Sequence, residues 1–190
     1  YFQLINIYDD VNAFWVPGQK WVKTEQMLSR SVEGVPLNTV RRVSQLNRVL
    51  GSNGRSAEVA DMWSAIHGPV GNDGYPVLIW DNETGDINHE VAAYWRDNDF
   101  DLRHYAEENW AKIGPDLIGK LHFACGDMDQ FYLNLAMYEM QEFLEKRSDP
   151  PYSGTFKFFG PKVGHSFAGY DTMTQLHRDM LKHIEQNTPE

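Results

Sequence analysis

The stretch Leu121-His122-Phe123-Ala124-Cys125-Gly126-Asp127-Met128-Asp129 constrains the fold more than any other part of this chain. Leu121 to Cys125 is continuously apolar apart from His122, as expected of a strand covered on both faces, and it runs into an acidic turn. Leu133, Met137, Met140 and Leu144 then recur at helical spacing, with Asn134, Glu139, Gln141, Glu142 and Glu145 on the other faces. Asp149-Pro150-Pro151 ends that unit, and Thr155 to Phe159 predicts a second strand. A strand–helix–strand unit of this length pairs in parallel by a right-handed crossover. Two parallel strands do not form a stable sheet by themselves, so the unit calls for neighbouring strands.

The ends of those strands carry the chemistry. In open α/β sheets, reactive groups collect past the carboxyl ends of the strands, where loops converge. Asp129 follows the first strand, and His165 follows the second in the loop Val163-Gly164-His165-Ser166-Phe167-Ala168-Gly169. An acid followed by a histidine is the order in which an α/β-hydrolase completes its Ser-Asp-His triad. There the histidine takes the serine proton, and the acid fixes the histidine tautomer and stabilises the imidazolium. Asp127 is a competing acid, equally near the strand end. Each residue also has a plainer reading: Asp129 as the N-cap of the following helix, and His165 as a surface-loop histidine. The nucleophile turn, Gly-x-Ser-x-Gly after a strand, occurs nowhere upstream. Gly164-His165-Ser166-Phe167-Ala168 mimics it, but Gly160-Pro161-Lys162 interrupts the strand that an elbow needs, so Ser166 is not read as the nucleophile.

Composition excludes several classes of partner. The net charge of -10 disfavours nucleic acid and anionic membrane surfaces, both of which need a cationic footprint. No apolar run approaches the roughly 20 residues that span a bilayer, and no basic segment followed by an apolar one marks a signal peptide. A hydrophobic content of 42% with 13% aromatics fits a globular chain. The lone Cys125 excludes an internal disulfide, leaves the compartment undecided, and reads as a small core residue. Asp81-Asn82-Glu83-Thr84-Gly85-Asp86 fails as a calcium loop, because positions six and twelve are Asp86 and Ala92. The histidines lack zinc-type spacing, and Gly51 to Ser56 lacks the Lys-Ser/Thr of a phosphate loop. No metal and no cofactor are expected.

Before Pro115 the chain changes character, with short helices separated by turn-rich loops. Asn38 is the expected cap of a helix bearing Val40, Val43, Leu46 and Leu50 and stopped at Gly51. Ser56 is the expected cap of a second helix, with Val59, Trp63 and Ile66, ending at Gly68-Pro69. Val77 to Trp80 predicts a short strand turned by Asp81 to Gly85, and two helices follow, His89–Arg96 and Leu102–Ile113. Asp101 caps the latter, and Gly114-Pro115 stops it. Thr172 with Gln175 predicts a capping box for a last helix carrying Met173, Leu176, Met180 and Ile184. All six tryptophans precede Pro115. Trp63 and Trp110 lie on apolar helix stripes and read as core. Trp15, Trp21 and Trp80, on irregular or turn-flanked segments, are candidate substrate-binding rings, because flat aromatics give contact area with few rotors to freeze.

Gly126-Asp127-Met128-Asp129-Gln130-Phe131, followed by Gly164-His165-Ser166, resembles the C-terminal portion of an esterase family in the α/β-hydrolase superfamily. That family includes esterase D-type (S-formylglutathione hydrolase) and feruloyl-esterase relatives. The resemblance covers about Leu117 to Ile184, and it implies that Asp129 is the triad acid and His165 the base. The opening Phe2-Gln3-Leu4-Ile5-Asn6-Ile7-Tyr8-Asp9-Asp10 is similar to a stretch that follows the sixth strand in some members. The expected fold is therefore α/β: residues 116–190 form the C-terminal part of an α/β-hydrolase, with its last two parallel strands and their helices. Residues 1–115 precede it as a mainly helical, aromatic-rich lid insertion. The expected activity is carboxylic-ester hydrolysis, with an acylated carbohydrate or a phenolic ester as substrate. The nucleophile serine would come from the N-terminal half of the same hydrolase, so the chain alone is expected to be inactive. The alternative is a non-catalytic carbohydrate- or protein-binding module on the same scaffold.

Overall fold

The computed structural model describes residues 27–51, 58–166 and 170–188 of the chain. Among the described residues it is mixed α/β with two small sheets. Strands β1 (Met27–Arg30) and β2 (Pro36–Thr39) form an antiparallel hairpin with irregular register. Helices α1 (Val40–Leu50), α2 (Glu58–His67), α3 (His89–Asp97) and α4 (Leu102–Leu117) follow. The chain then runs through β3 (His122–Gly126), α5 (Leu133–Glu145), β4 (Thr155–Phe159) and α6 (Tyr170–Asn187).

The predicted strand–helix–strand unit is present. β3 and β4 pair in parallel, with Phe123 opposite Phe156 and Cys125 opposite Phe158. The Phe123 and Phe156 rings stack face to face with centroids 4.5 Å apart. They pack against a buried cluster of Ala106 and Trp110 from α4 and Ala136, Met140, Phe143 and Leu144 from α5. One side of the unit is thus covered by α5 and α4. Burial along β3 rises from exposed His122 to buried Cys125 and Gly126, so only the carboxyl end of the strand is enclosed as predicted.

Several local expectations are corrected. Thr39, not Asn38, caps α1 by accepting from Arg42 N–H, and that helix buries Val40 and Ser44 while Leu46 and Leu50 stay exposed. The Ser56 cap lies outside the described residues. Val77 to Trp80 is not a strand but a single bridge, Trp80 to Ile87, closed by the Asp81 turn. α4 does not stop at Gly114-Pro115. Pro115 sits in its last turn, where its missing N–H costs one helix bond, and packing outweighs that loss. Trp110 Nε1–H donates to Pro150 O at 2.9 Å, and any Cβ on Gly114 would press on the Trp110 and Pro150 rings. α6 begins at Tyr170, which puts Thr172 inside the helix rather than at its cap, and Gln175 bonds to Asp179 one turn on. Asn134, read as lying off the apolar stripe of α5, is buried.

Candidate active site

The carboxyl ends of β3 and β4 are stitched together by backbone before any side chain acts. Asp127 N–H donates to Phe159 O at 2.8 Å, and Met128 N–H donates to Val163 O at 2.9 Å. The two loops approach so closely that a Cβ on Gly126 would overlap the Val163 and Gly164 carbonyls, and one on Gly164 would overlap the Gln130 side chain. Glycine is needed at both places because backbone meets backbone or amide there.

The two candidate acids have separate tasks. Asp127 turns its Oδ1 to the Val163 N–H at 2.9 Å, bracing the loop that carries the histidine. Asp129 is the acid that meets His165, with Oδ2 2.8 Å from Nδ1. Its other oxygen, Oδ1, accepts the N–H groups of Phe131 at 2.8 Å and Leu133 at 3.4 Å, at the N-terminus of α5. The capping role and the histidine-pairing role therefore coexist in one carboxylate, one oxygen each. The formal N-cap residue, Tyr132, makes no side-chain cap of its own.

An ionised carboxylate can only accept hydrogen bonds, so the bond to Asp129 puts the proton of neutral His165 on Nδ1 and leaves Nε2 with its lone pair. Asp129 is 2% exposed while His165 is 33% exposed, so the acid is sealed and the base can be reached from outside. The Phe131 ring stands edge-on to the imidazole with centroids 5.2 Å apart, and the Gln130 side-chain oxygen accepts the backbone N–H of His165. Ring and main chain of the histidine are thus both held from the acid-bearing turn.

Cys125, the residue before Gly126, is not a nucleophile here. Burial, with the Asp129 charge adding to it, pushes its thiol up to about 12, and it remains protonated at neutral pH. Ser166 is exposed in the loop beyond Gly160-Pro161-Lys162, well past the end of β4, and so lacks the strand that would aim an elbow serine. Trp80 packs against the second cluster of Ile79, Val91, Ala92 and Trp95, and Trp110 is core as predicted. Trp15 and Trp21 lie outside the described residues. Among the described residues, no group of three or more His, Cys, Asp or Glu side chains is arranged to hold a metal, and no helix is long and apolar enough to cross a membrane.

Sequence reasoning missed Arg30, Gln130 and Asn134. Gln130 stands within the motif that signalled the site and could have been singled out by adjacency. Arg30 lies 99 residues before the acid that it touches, and nothing in its local sequence marks it. Compared with protein families, with curated proteins and with solved structures, the chain has no match.

Proposed function

We propose that this chain supplies the acid and base of a carboxylic-ester hydrolase working through an acyl-enzyme. The observation that carries the reading is the 2.8 Å bond between His165 Nδ1 and the buried Asp129 Oδ2, at the carboxyl ends of two parallel strands. The nucleophile is a serine in an N-terminal half of the same hydrolase. Its Oγ attacks the ester carbonyl as His165 Nε2 takes the proton; His165 then returns that proton to the leaving alkoxide. Water repeats the sequence to release the acid. Asp129 holds the tautomer and offsets the positive charge on the imidazole in both halves of the reaction.

Two further features support a place within a larger sheet. Among the described residues β3 and β4 pair only with each other, which leaves an outer edge on each strand. Met180, Leu181 and Ile184 of α6 are more than half exposed. Free edges and apolar faces of this kind are normally covered in a finished fold. A binding module would need no histidine held on a sealed acid, which weighs against that alternative. Acylated carbohydrates or phenolic esters remain the proposed substrate class, on the sequence resemblance.

The test is labelling of the full-length source protein with a fluorophosphonate, followed by peptide mapping. An adduct on a serine peptide upstream of Tyr1 is the expected result. An adduct on Ser166 would overturn the loop assignment, and no adduct where control hydrolases label would favour the binding module.

A further inference from the structure

The acid-bearing turn is gripped from behind by Arg30, the last residue of β1 and only 7% exposed. Its backbone N–H donates to Gln130 O at 2.9 Å. Its side chain forks: Nε–H donates to Asp129 O at 3.1 Å and Nη2–H to Asn134 Oδ1 at 2.9 Å. The guanidinium also lies 4.5 Å from the centre of the fully buried Tyr132 ring. One side chain thus ties together the residue before the turn, the turn itself and the first turn of α5. Tyr132 has φ 61, a left-handed conformation that is rare and costly for a bulky residue. Such conformations persist only where the surroundings over-determine them, and they concentrate at functional sites.

We infer that Arg30 is a positioning residue for the Asp129–His165 pair. The fork fixes the backbone between Asp129 and Asn134, and that backbone aims Oδ2 at His165 Nδ1. The β1–β2 hairpin would then be part of the catalytic scaffold rather than a cover over it. A lysine at position 30 would keep the charge but could not bridge Asp129 O and Asn134 Oδ1 in one plane, because an ammonium lacks the guanidinium's rigid fork. This inference rests on the reading of Asp129 and His165 as an acid–base pair.

The experiment is proton NMR on the full-length protein, following the low-field Nδ1–H resonance of His165, assigned by its loss in His165→Gln. In the wild-type chain the resonance should be present. In folded Arg30→Lys it should be lost, or its exchange with water should quicken by about tenfold, the scale of one charge-assisted hydrogen bond. If Arg30→Lys does not fold, Asn134→Ala decides, with exchange expected to quicken by about threefold for loss of one arm of the fork. A wild-type resonance that persists with unchanged exchange in the deciding variant overturns the role of Arg30 alone. A wild-type chain with no such resonance overturns the acid–base pair, and the role of Arg30 with it.

Discussion

Helices α5 and α6 carry the same kind of sequence and meet opposite fates. Both place apolar residues at helical spacing, Leu133, Met137, Met140 and Leu144 in one and Met173, Leu176, Met180 and Ile184 in the other. α5 buries its stripe against β3, β4 and α4, and Leu144 is 0% exposed. α6 leaves Ile184 55% exposed. α5 is anchored at its start by a carboxylate that also holds the histidine. α6 has its apolar face outward along its C-terminal half. Periodicity states that a face is apolar and where it points around the axis. It does not state what covers that face, which is decided by elements distant in sequence.

The contrast can be broken most sharply at the root of α5. Asp129→Asn keeps an oxygen for the Phe131 and Leu133 amides but turns an NH2 donor toward His165 Nδ1. On the proposed function, kcat for ester hydrolysis by the full-length protein should fall by about 10⁴-fold, as expected when a triad histidine loses its proper tautomer. Melting of the isolated chain should shift by less than the about 1 kcal/mol typical of losing a helix cap. A variant that loses both equally would mean that the acid is a cap alone. Next in size is the packing contrast itself. Leu144→Ala should cost about 2–5 kcal/mol in urea denaturation, and Ile184→Ala no more than about 0.5 kcal/mol in this chain. A cost above about 2 kcal/mol for Ile184→Ala in the full-length protein would show that a segment outside the described residues covers α6.

The last prediction concerns Cys125, at the buried end of β3. Its thiol is held up to about 12 against an ordinary 9.0, so the folded state disfavours the thiolate. The unfolded chain releases that proton first, and stability should therefore fall as pH rises from about 9 toward 12. At neutral pH, an aromatic disulfide reagent should react with Cys125 slowly in the native chain and rapidly once urea unfolds it. Equal rates in both states would show that the carboxyl end of β3 is open.

What could be read from the sequence was what local chemistry decides. The Thr155–Phe159 strand has the predicted bounds, β3 is displaced by one residue, and the Asp101 cap on α4 is in place with Oδ1 accepting from His104 N–H. The parallel pairing follows from the length of the crossover. The β1–β2 hairpin was not legible, because its four-residue strands carry register irregularities and no clean alternation. α4 runs past Pro115 and its Trp110 bonds to Pro150, a partner beyond the reach of any local rule. At the site, strand ends pointed to both aspartates, but the choice between them needed three dimensions. Asp127 extends the β3–β4 ladder through its backbone and spends its side chain on Val163, whereas Asp129 lies beyond the turn, facing the histidine. Arg30 was invisible for the same reason as the differing fates of α5 and α6, since its meaning resides entirely in remote partners.

The divided carboxylate of Asp129 has a consequence for motion. Helix ends ordinarily fray on fast timescales, independently of whatever chemistry stands nearby. Here the amides of Phe131 and Leu133 are tied to the same rigid group that orients the imidazole. A fluctuation that unwinds the first turn of α5 therefore also releases the ring, and a ring that swings away loosens the turn. The opening rate of those two amides is, in effect, a clock for how long the imidazole stays aimed.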